Sequence, residues 1–509
     1  MDAQGSPEKE IPKRTKEDVF DLLVRRGFII PSSEIYGGLS GFYDFGHLGS
    51  LVKRKLIDNW RDWAVRREGF FEIDGSSVVR KEVVEASGHL KSFVDPVVKC
   101  EKCFDAFRAD HLVEEKLGKY VEGMTNEEIG KFFSEEKISC PTCGERLSGA
   151  VNSFQMMFGI SVGAGKKAIE SYLRPETAQS IFINFPRVFR ATREKLPMGV
   201  AQAGKAFRNE ISPRQGMIRM REFEQLEIEI FLDPEKLEEG MSDWDGIKGT
   251  VVEFVKEDVS ERATVESLFA EGKVPAKHLA YWIGKEQVFY SDILGIPAEG
   301  IRFKFLPKAE TPFYSKGNID MEVKTLYGWK ETIGNAYRTD YDLSTHIKHS
   351  GKDFSVTLPD GRKIVPHVIE PSWGLQRMFY CALEAGYRQK GEGRDWVWLD
   401  IPFSIAPYSA HVFPLMKRDG LDSLGKKIWK TLSAKGIDCL YDETGSIGKR
   451  YARADEIGCP FAITVDYESL ENGTVTLRER NSMAQERVKI EELGEIMGKK
   501  LAEDREKRN

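Results

Sequence analysis

No run of apolar residues in this chain approaches the length that crosses a membrane. The first residues, Met1 to Lys16, are polar and charged and lack the apolar centre of a signal peptide. They read as a disordered tail, and the protein as cytoplasmic. Positive charge is not in excess: 75 Lys+Arg against 81 Asp+Glu give a formal net charge of -6. That balance argues against a surface coated for bulk nucleic-acid binding and leaves room for local basic patches. No internal repeat is present. Two nucleotide or modification motifs are absent on inspection. Gly159 to Gly165-Lys166 resembles a P-loop, but five residues separate the glycines and Lys167 stands where a hydroxyl is required. Asn472-Gly473-Thr474 is a glycosylation sequon without meaning in a cytoplasmic protein.

Cysteine is scarce, with seven in 509 residues. Cys381, Cys439 and Cys459 are isolated and read as buried fillers. The other four form Cys100-x-x-Cys103 and Cys140-x-x-Cys143, two tight turns that each offer two thiolates. Together they suit a tetrahedral, structural Zn²⁺ in a reducing compartment. The step from Cys103 to Cys140 is longer than in a usual zinc ribbon, so two unrelated pairs of reduced cysteines is the competing reading.

What is present is a charged, globular composition, 31% charged and 41% hydrophobic, long enough for two or three domains. Lys16 to Arg26 predicts a short helix. Val52, Leu56, Trp60 and Trp63 predict a helix over Leu51 to Glu68, stopped by Gly69. A strand is expected from Phe70 to Val79. Thr125 with Glu128 predicts a capping box. Asp233 to Ala270 has a helical, acidic pattern, and Tyr281 to Lys316 reads as short strands and turns. Asp360-Gly361 marks a hairpin turn. The composition shifts between Gly391 and Pro407, where the main domain boundary is expected; beyond it helices and strands alternate as in a small α/β domain.

The stretch Gly204-Lys205-Ala206-Phe207-Arg208-Asn209-Glu210, a polar turn, and Arg219-Met220-Arg221-Glu222-Phe223 through Glu227 predicts a hairpin with arginines and carboxylates on one face. A guanidinium suits a phosphate and a carboxylate suits an amine. By itself the pattern also fits a solvated hairpin with cross-strand ion pairs.

With Leu173-Arg174-Pro175-Glu176-Thr177-Ala178-Gln179, Asp320-Met321-Glu322-Val323, Ile369-Glu370-Pro371-Ser372-Trp373-Gly374-Leu375-Gln376-Arg377, and Gly445 to Gly458, this hairpin resembles the class II aminoacyl-tRNA synthetases, in particular the homodimeric archaeal and eukaryotic glycyl-tRNA synthetase family. The resemblance runs from about Val19 to about Leu493. It implies an α+β fold: an antiparallel-sheet catalytic core over 17–400 flanked by helices, with a zinc-knuckle insertion at 98–148 and a second insertion at 233–316, then an α/β anticodon-binding domain over 401–509. It implies a glycine–tRNA ligase that uses ATP with Mg²⁺ to make glycyl-adenylate and pyrophosphate, then charges tRNA(Gly).

The same resemblance assigns roles. Arg208 and Arg377 would serve catalysis, on the α-phosphate and the β- and γ-phosphates. Asn209, Glu210, Arg219, Met220, Phe223, Glu322 and Val323 complete the ATP site, with Glu322 the candidate for Mg²⁺. Glu176, Glu227, Glu370, Pro371 and Ser372 would hold glycine. Three carboxylates around one ammonium predict that bound glycine relieves their repulsion. Rejecting larger amino acids by clash needs no editing domain. Lys449, Arg450 and Arg453 would meet tRNA, and Arg478 and Arg480 would share that face. The helix Leu51 to Glu68 corresponds to the dimer-forming motif 1. Two positions depart from the family pattern: Arg80 stands in place of a proline, and Gln376 in place of the glycine before the motif 3 arginine. A non-catalytic RNA-binding paralogue typically loses the motif 2 or motif 3 arginine, and this chain keeps both. Another class IIa synthetase would lack the acidic glycine pocket.

Overall fold

A computed structural model describes residues 14–506 apart from 120, 122, 193, 194, 212, 214, 308–310, 312 and 313. Residues 1–13 of the expected tail, and 212 and 214 of the hairpin turn, lie outside the described residues. Order begins earlier than expected. The Arg14 guanidinium donates to the carbonyls of Glu384 and Tyr387 at 3.3 and 3.2 Å. Thr15 and Asp18 form a capping box on the helix Lys16–Arg25.

Nine strands form the central sheet: β1 Phe71–Glu72, β2 Met198–Phe207, β3 Glu222–Leu232, β4 Val251–Lys256, β5 Val259–Thr264, β6 Ile301–Phe305, β7 Asn318–Thr325, β8 Gly328–Thr339 and β9 His367–Gly374. Their spatial order is β5-β4-β6-β7-β8-β9-β3-β2-β1. The run from β6 to β2 is antiparallel throughout; β1 joins β2, and β6 joins β4, in parallel. β3 shows why these residues form a central strand. Leu226, Ile228, Ile230 and Leu232 enter the main core, while Gln225, Glu227, Glu229 and Phe231 take the other face. Phe231 there packs with Phe182 and Phe185 of the helix Ala178–Ala191. The sheet therefore has an oily face and a face that carries carboxylates next to an aromatic layer.

Several expected elements move. β2 ends at Phe207, so Arg208, Asn209 and Glu210 sit in the loop beyond it. The strand expected over Phe70 to Val79 breaks into β1 and a short strand Val78–Arg80, which pairs with Ile169–Leu173. Gly75 lies in the break, where a side chain would strike Ser180 and Gln202. The motif 1 helix begins at His47, and its last turn and a half, Arg61–Arg66, is π-helical. Asp233 to Ala270 holds the β4–β5 hairpin, turned by Glu257 and Asp258 at φ 49° and 64°, between the short helices Trp244–Ile247 and Val265–Ala270. Tyr281 to Lys316 starts inside a helix, Lys277–Val288, buried on every side from His278 to Gln287, so no amphipathic period shows. The stretch from Asp233 to Lys316 thus adds three strands to the sheet and a buried helix.

The cysteine-bearing insertion is a small unit of its own. Strands Val94–Lys99, Ala106–Arg108 and Val151–Gln155 form its sheet, reaching beyond the expected 98–148. Its helix Asn126–Glu135 carries the expected Thr125–Glu128 capping box. The C-terminal unit has a separate core and a five-stranded sheet. Ala410–Pro414, Cys439–Tyr441 and Phe461–Val465 run parallel, with the helices Leu421–Ala434 and Ile447–Glu456 in the connections between them. Among the described residues no helix is long and apolar enough to cross a membrane.

Candidate active site

Sheet register assembles the site. Glu227 of β3 stands between Gln202 of β2 and Ser372 of β9; Ser372 stands opposite Gly334 of β8, and Gly334 opposite Asp320 of β7. Side chains in one row of a sheet share a face. Above this row opens a cleft enclosing about 620 Å³ of space, mouth included, lined by Arg208, Glu210, Arg219, Phe223, Glu331 and Arg377 among others.

Three guanidiniums meet in the cleft, each held by a few contacts. Arg208 donates from Nε to the Pro175 carbonyl at 3.1 Å and lies between the rings of Phe93 and Phe223, 5.3 and 5.2 Å from their centres. Arg219 pairs with Glu210 at 3.0 Å. Arg377 donates to the Ile218 carbonyl at 3.1 Å and to the carbonyl and carboxylate of Glu331 at 2.8 and 2.9 Å. With five N–H donors each, they keep capacity for an anion.

At one end of the cleft lies a buried acidic pocket. Glu227 accepts hydrogen bonds from Ser372 at 2.8 Å, Gln225 at 2.7 Å and the Thr177 hydroxyl. Ser372 and Gln225 also line the cleft, so Glu227 abuts it. Glu176 accepts from Gln179 at 2.8 Å. Glu370 pairs with Arg338, which also grips Asp342 through two nitrogens at 2.7 and 2.9 Å and lies 3.8 Å from Glu176. Glu229 follows Glu227 on the same face, and the strand register sets it opposite Glu370. Among the described residues neither of its carboxyl oxygens meets a hydrogen-bond partner. Burial, then Glu370, raises its pKa well above the usual range. Burial also raises Glu227, with Glu176 adding to the effect. Glu370 is pushed up to about 8 by burial against the pull of Arg338. Glu176 goes the other way: burial works against its charge, but His89 and Arg338 outweigh it. The pocket is therefore poised for a cation and already contains one.

Residues 165–385 match the tRNA synthetase class II core domain (G, H, P, S and T) family, and residues 407–500 match the Anticodon binding domain family. A glycine–tRNA ligase of Methanocaldococcus jannaschii is 38% identical, across 96% of this chain and 99% of that protein. One of Pyrococcus furiosus is 40% identical, across 93% and 96%. The chain belongs to the glycine–tRNA ligase family. A crystal structure of the prolyl-tRNA synthetase of Cryptosporidium parvum with L-proline and AMP shares the fold, at TM-score 0.58 and 12% identity, over 96% of this chain and 76% of that one.

Within this glycine–tRNA ligase fold, the residues expected at the site divide. Arg208, Glu210, Arg219, Met220, Phe223, Arg377 and Ser372 line one cleft, and Glu176, Glu227 and Glu370 share the pocket beside it. Asn209 does not line the cleft; its N–H ties the loop to the Met156 carbonyl at 2.7 Å. Val323 points into the main core, because β7 alternates and Asp320 and Glu322 hold the other face. Pro371 is turned away in the same way, lying between Glu370 and Ser372 on a strand whose core face carries Ile369 and Trp373. Glu322 is paired with Arg302 at 2.6 Å, and it is its cross-strand partner Glu331 that lines the cleft. Desolvation, then Glu331 and Glu322, raises Asp320 well above the usual range, a crowding that a divalent cation would relieve.

The departures from the family pattern have local explanations. Arg80 sits at φ -68°, the angle a proline would impose. The Gln376 side chain accepts the Glu224 N–H at 2.7 Å, so it braces β3 from the first turn of the next helix. Sequence reasoning missed Arg338, Asp342, His89 and Glu331, and gave Gln179 a place in a motif but no role. Only the spacing Arg338-x-x-x-Asp342, across a strand end and a helix start, left a trace in the sequence.

The four knuckle cysteines converge. Their sulfurs lie within 4.8 Å of one another, with Cys100 to Cys143 and Cys103 to Cys140 each 3.6 Å apart. Tetrahedral thiolates about 2.3 Å from Zn²⁺ would be about 3.8 Å apart, so the donor set fits. Backbone N–H groups, that of Cys103 first, lower the Cys100 thiol, while burial and the neighbouring sulfurs raise Cys103 and Cys143.

The residues expected to meet tRNA divide between buried and exposed. Arg450 is buried, donating to the carbonyls of Pro414 and Gly445. Arg453 is committed to Asp442 at 2.9 Å and to Thr444. Arg478 pairs bidentately with buried Asp455 at 2.9 and 3.0 Å, and Arg480 donates to the Gly458 carbonyl at 2.6 Å. The helix Ile447–Glu456 docks by the face bearing Arg450 and Ala454, and of its three candidates Lys449 alone is exposed.

Proposed function

We propose that this cleft joins glycine to the α-phosphate of ATP and that the enzyme then passes glycine to the 3′ end of tRNA(Gly). The observation that carries the reading is a buried pocket of Glu176, Glu227 and Glu370 opening, through Ser372 and Gln225, onto a cleft with Arg208, Arg219 and Arg377. The glycine ammonium sits among the glutamates, and its carboxylate faces Arg208. A carboxylate oxygen attacks the α-phosphorus, the bond to pyrophosphate breaks, and a ribose hydroxyl of tRNA later displaces AMP at the acyl carbon. Arg208 spans the glycine carboxylate and α-phosphate, where negative charge builds up, and so binds the transition state more tightly than the ground state. Arg377 takes the outer phosphates, Glu210 and Arg219 the adenine side, and Phe223 the base face. Asp320 and Glu331, joined by Glu322, would hold Mg²⁺, which supplies charge neutralisation at the phosphates.

ATP–pyrophosphate exchange tested with each amino acid in turn checks the reading: glycine alone should support exchange. Exchange with proline or threonine, or none with any amino acid, would reject it. Glu227→Ala should raise the glycine KM by about 100-fold and leave the ATP KM within about twofold, because it removes a charge partner of the ammonium only.

The remaining parts of the reading have separate support. The cysteine cluster suits a structural Zn²⁺, and its thiols require a reducing compartment such as the cytoplasm. The family resemblance of the motif 1 region supports a two-fold homodimer. The core is assigned to 17–400 and the anticodon-binding domain to 401–509, each with its own sheet and hydrophobic core.

A further inference from the structure

We infer that His89 is a positioning residue for glycine: its Nε2, set against a carboxyl oxygen of Glu176, orients that carboxylate in the pocket. The inference rests on the reading that Glu176 meets the glycine ammonium.

His89 lies in the segment that leads into the cysteine-bearing unit, far in sequence from every residue of the pocket. Gly88, at φ 83°, turns the chain so that the imidazole points inward, where it is buried. Nε2 lies 3.3 Å from a Glu176 carboxyl oxygen. Nδ1 lies 2.8 Å from the Ser87 hydroxyl. Ser87 has one hydrogen, and its oxygen lies 3.2 Å from the Val84 carbonyl, which can only accept. Over the shorter contact the Ser87 hydroxyl can donate to Nδ1, and Nε2 is then the ring nitrogen that carries a hydrogen, facing Glu176.

The pocket needs that contact. Glu176, Glu227, Glu370 and Asp342 crowd around a single guanidinium, Arg338. Arg338 spends its short contacts on Asp342 and Glu370 and stands 3.8 Å from Glu176. Without His89, Glu176 would be a buried carboxylate with only the Gln179 amide in contact, and it would take up a proton as buried carboxyls do. A neutral Glu176 is a poor ligand for an ammonium.

The same segment reaches the other half of the chemistry. The Phe93 ring packs edge-on against His89, 5.6 Å between centres, and lies 5.3 Å from the Arg208 guanidinium. The segment is pinned from behind, by Gln155 to the Leu90 carbonyl at 3.0 Å and by the Met156 N–H to the Phe93 carbonyl at 3.2 Å. One stretch of seven residues thus touches the ammonium carboxylate and the phosphate-binding arginine.

The test is ATP–pyrophosphate exchange with full-length His89→Leu, His89→Gln, Glu176→Gln and the double variant His89→Leu/Glu176→Gln. His89→Leu keeps the packing and loses the donors. It should raise the glycine KM about tenfold, with the ATP KM and kcat within about twofold. His89→Gln restores one donor to Glu176 and should recover at least half of that loss on a logarithmic scale. The double variant should be no worse than Glu176→Gln alone, since His89 acts through Glu176. Unchanged glycine KM in His89→Leu, equal losses for glycine and ATP, no recovery in His89→Gln, or additive losses in the double variant would each overturn the inference. If His89→Leu fails to fold, His89→Gln compared with Glu176→Gln decides: a glycine KM as poor as that of Glu176→Gln overturns it. Should Glu176→Gln itself leave the glycine KM unchanged, the ammonium pocket falls first, and the inference with it.

Discussion

The arginines of the cleft and those of the C-terminal unit carry the same side chain and do opposite work. Arg208, Arg219 and Arg377 each make a few contacts at a cleft mouth and keep donors for an incoming anion. Arg450, Arg453, Arg478 and Arg480 have given theirs to backbone carbonyls and to Asp442 and Asp455. Arg208 and Arg219, like the four C-terminal arginines, stand near acidic residues in the sequence. What separates them is whether the fold has already used the guanidinium's donors, a property of tertiary structure that charge spacing does not report.

The comparison can be broken in four places, taken from the largest expected effect. Asp455 is fully buried and pairs with both Arg478 and Arg394. Asp455→Ala should cost about 3–5 kcal/mol of stability by leaving those charges without their partner, read by denaturant unfolding of the C-terminal unit. Glycine-dependent exchange by the folded fraction should not change. Arg208→Ala should do the reverse: kcat for exchange falls about 10²–10³-fold while the melting temperature stays within a few degrees. A loss of stability like that of Asp455→Ala would erase the distinction between the two groups.

The third effect is pH dependence. Burial pushes Glu370 up to about 8 against the pull of Arg338, so its ionised form, the one that favours an ammonium, gains as pH rises toward that value. The glycine KM should fall as pH rises from about 6 to about 8, by at most about tenfold per unit for a single proton, and the ATP KM should stay flat over that range. A glycine KM that is flat or rises there would place the proton elsewhere. The smallest effect belongs to Lys449. Lys449→Ala should weaken tRNA charging about two- to threefold, more at low salt than at high, and leave exchange intact. Arg450→Ala, by contrast, should act through stability.

Much of the core was legible because its signals are local. The alternation of β3, the Phe-Arg-x-Glu run and the two cysteine turns are short patterns with direct physical meaning, and each recurs in the fold. The resemblance then brought Glu176, Glu227 and Glu370 together across more than one element. The misses have the opposite character. Helix Lys277–Val288 is buried on all sides, so its periodicity vanishes. Val323 and Pro371 sit inside matching motifs but on the wrong face of their strands. His89 and Arg338 enter the pocket from segments with no acidic or nucleotide-like pattern of their own. Arg450 reads as a surface cation until Pro414 and Gly445 are seen to enclose it.

Arg338 changes what the site is. A cage of like charges alone would spring open between turnovers. The resident guanidinium instead keeps the walls in place, so a newcomer finds its berth ready and has only to share oxygens with the lodger. Choosing the smallest amino acid is then a matter of fitting beside a permanent occupant, and the room left over sets the limit on size.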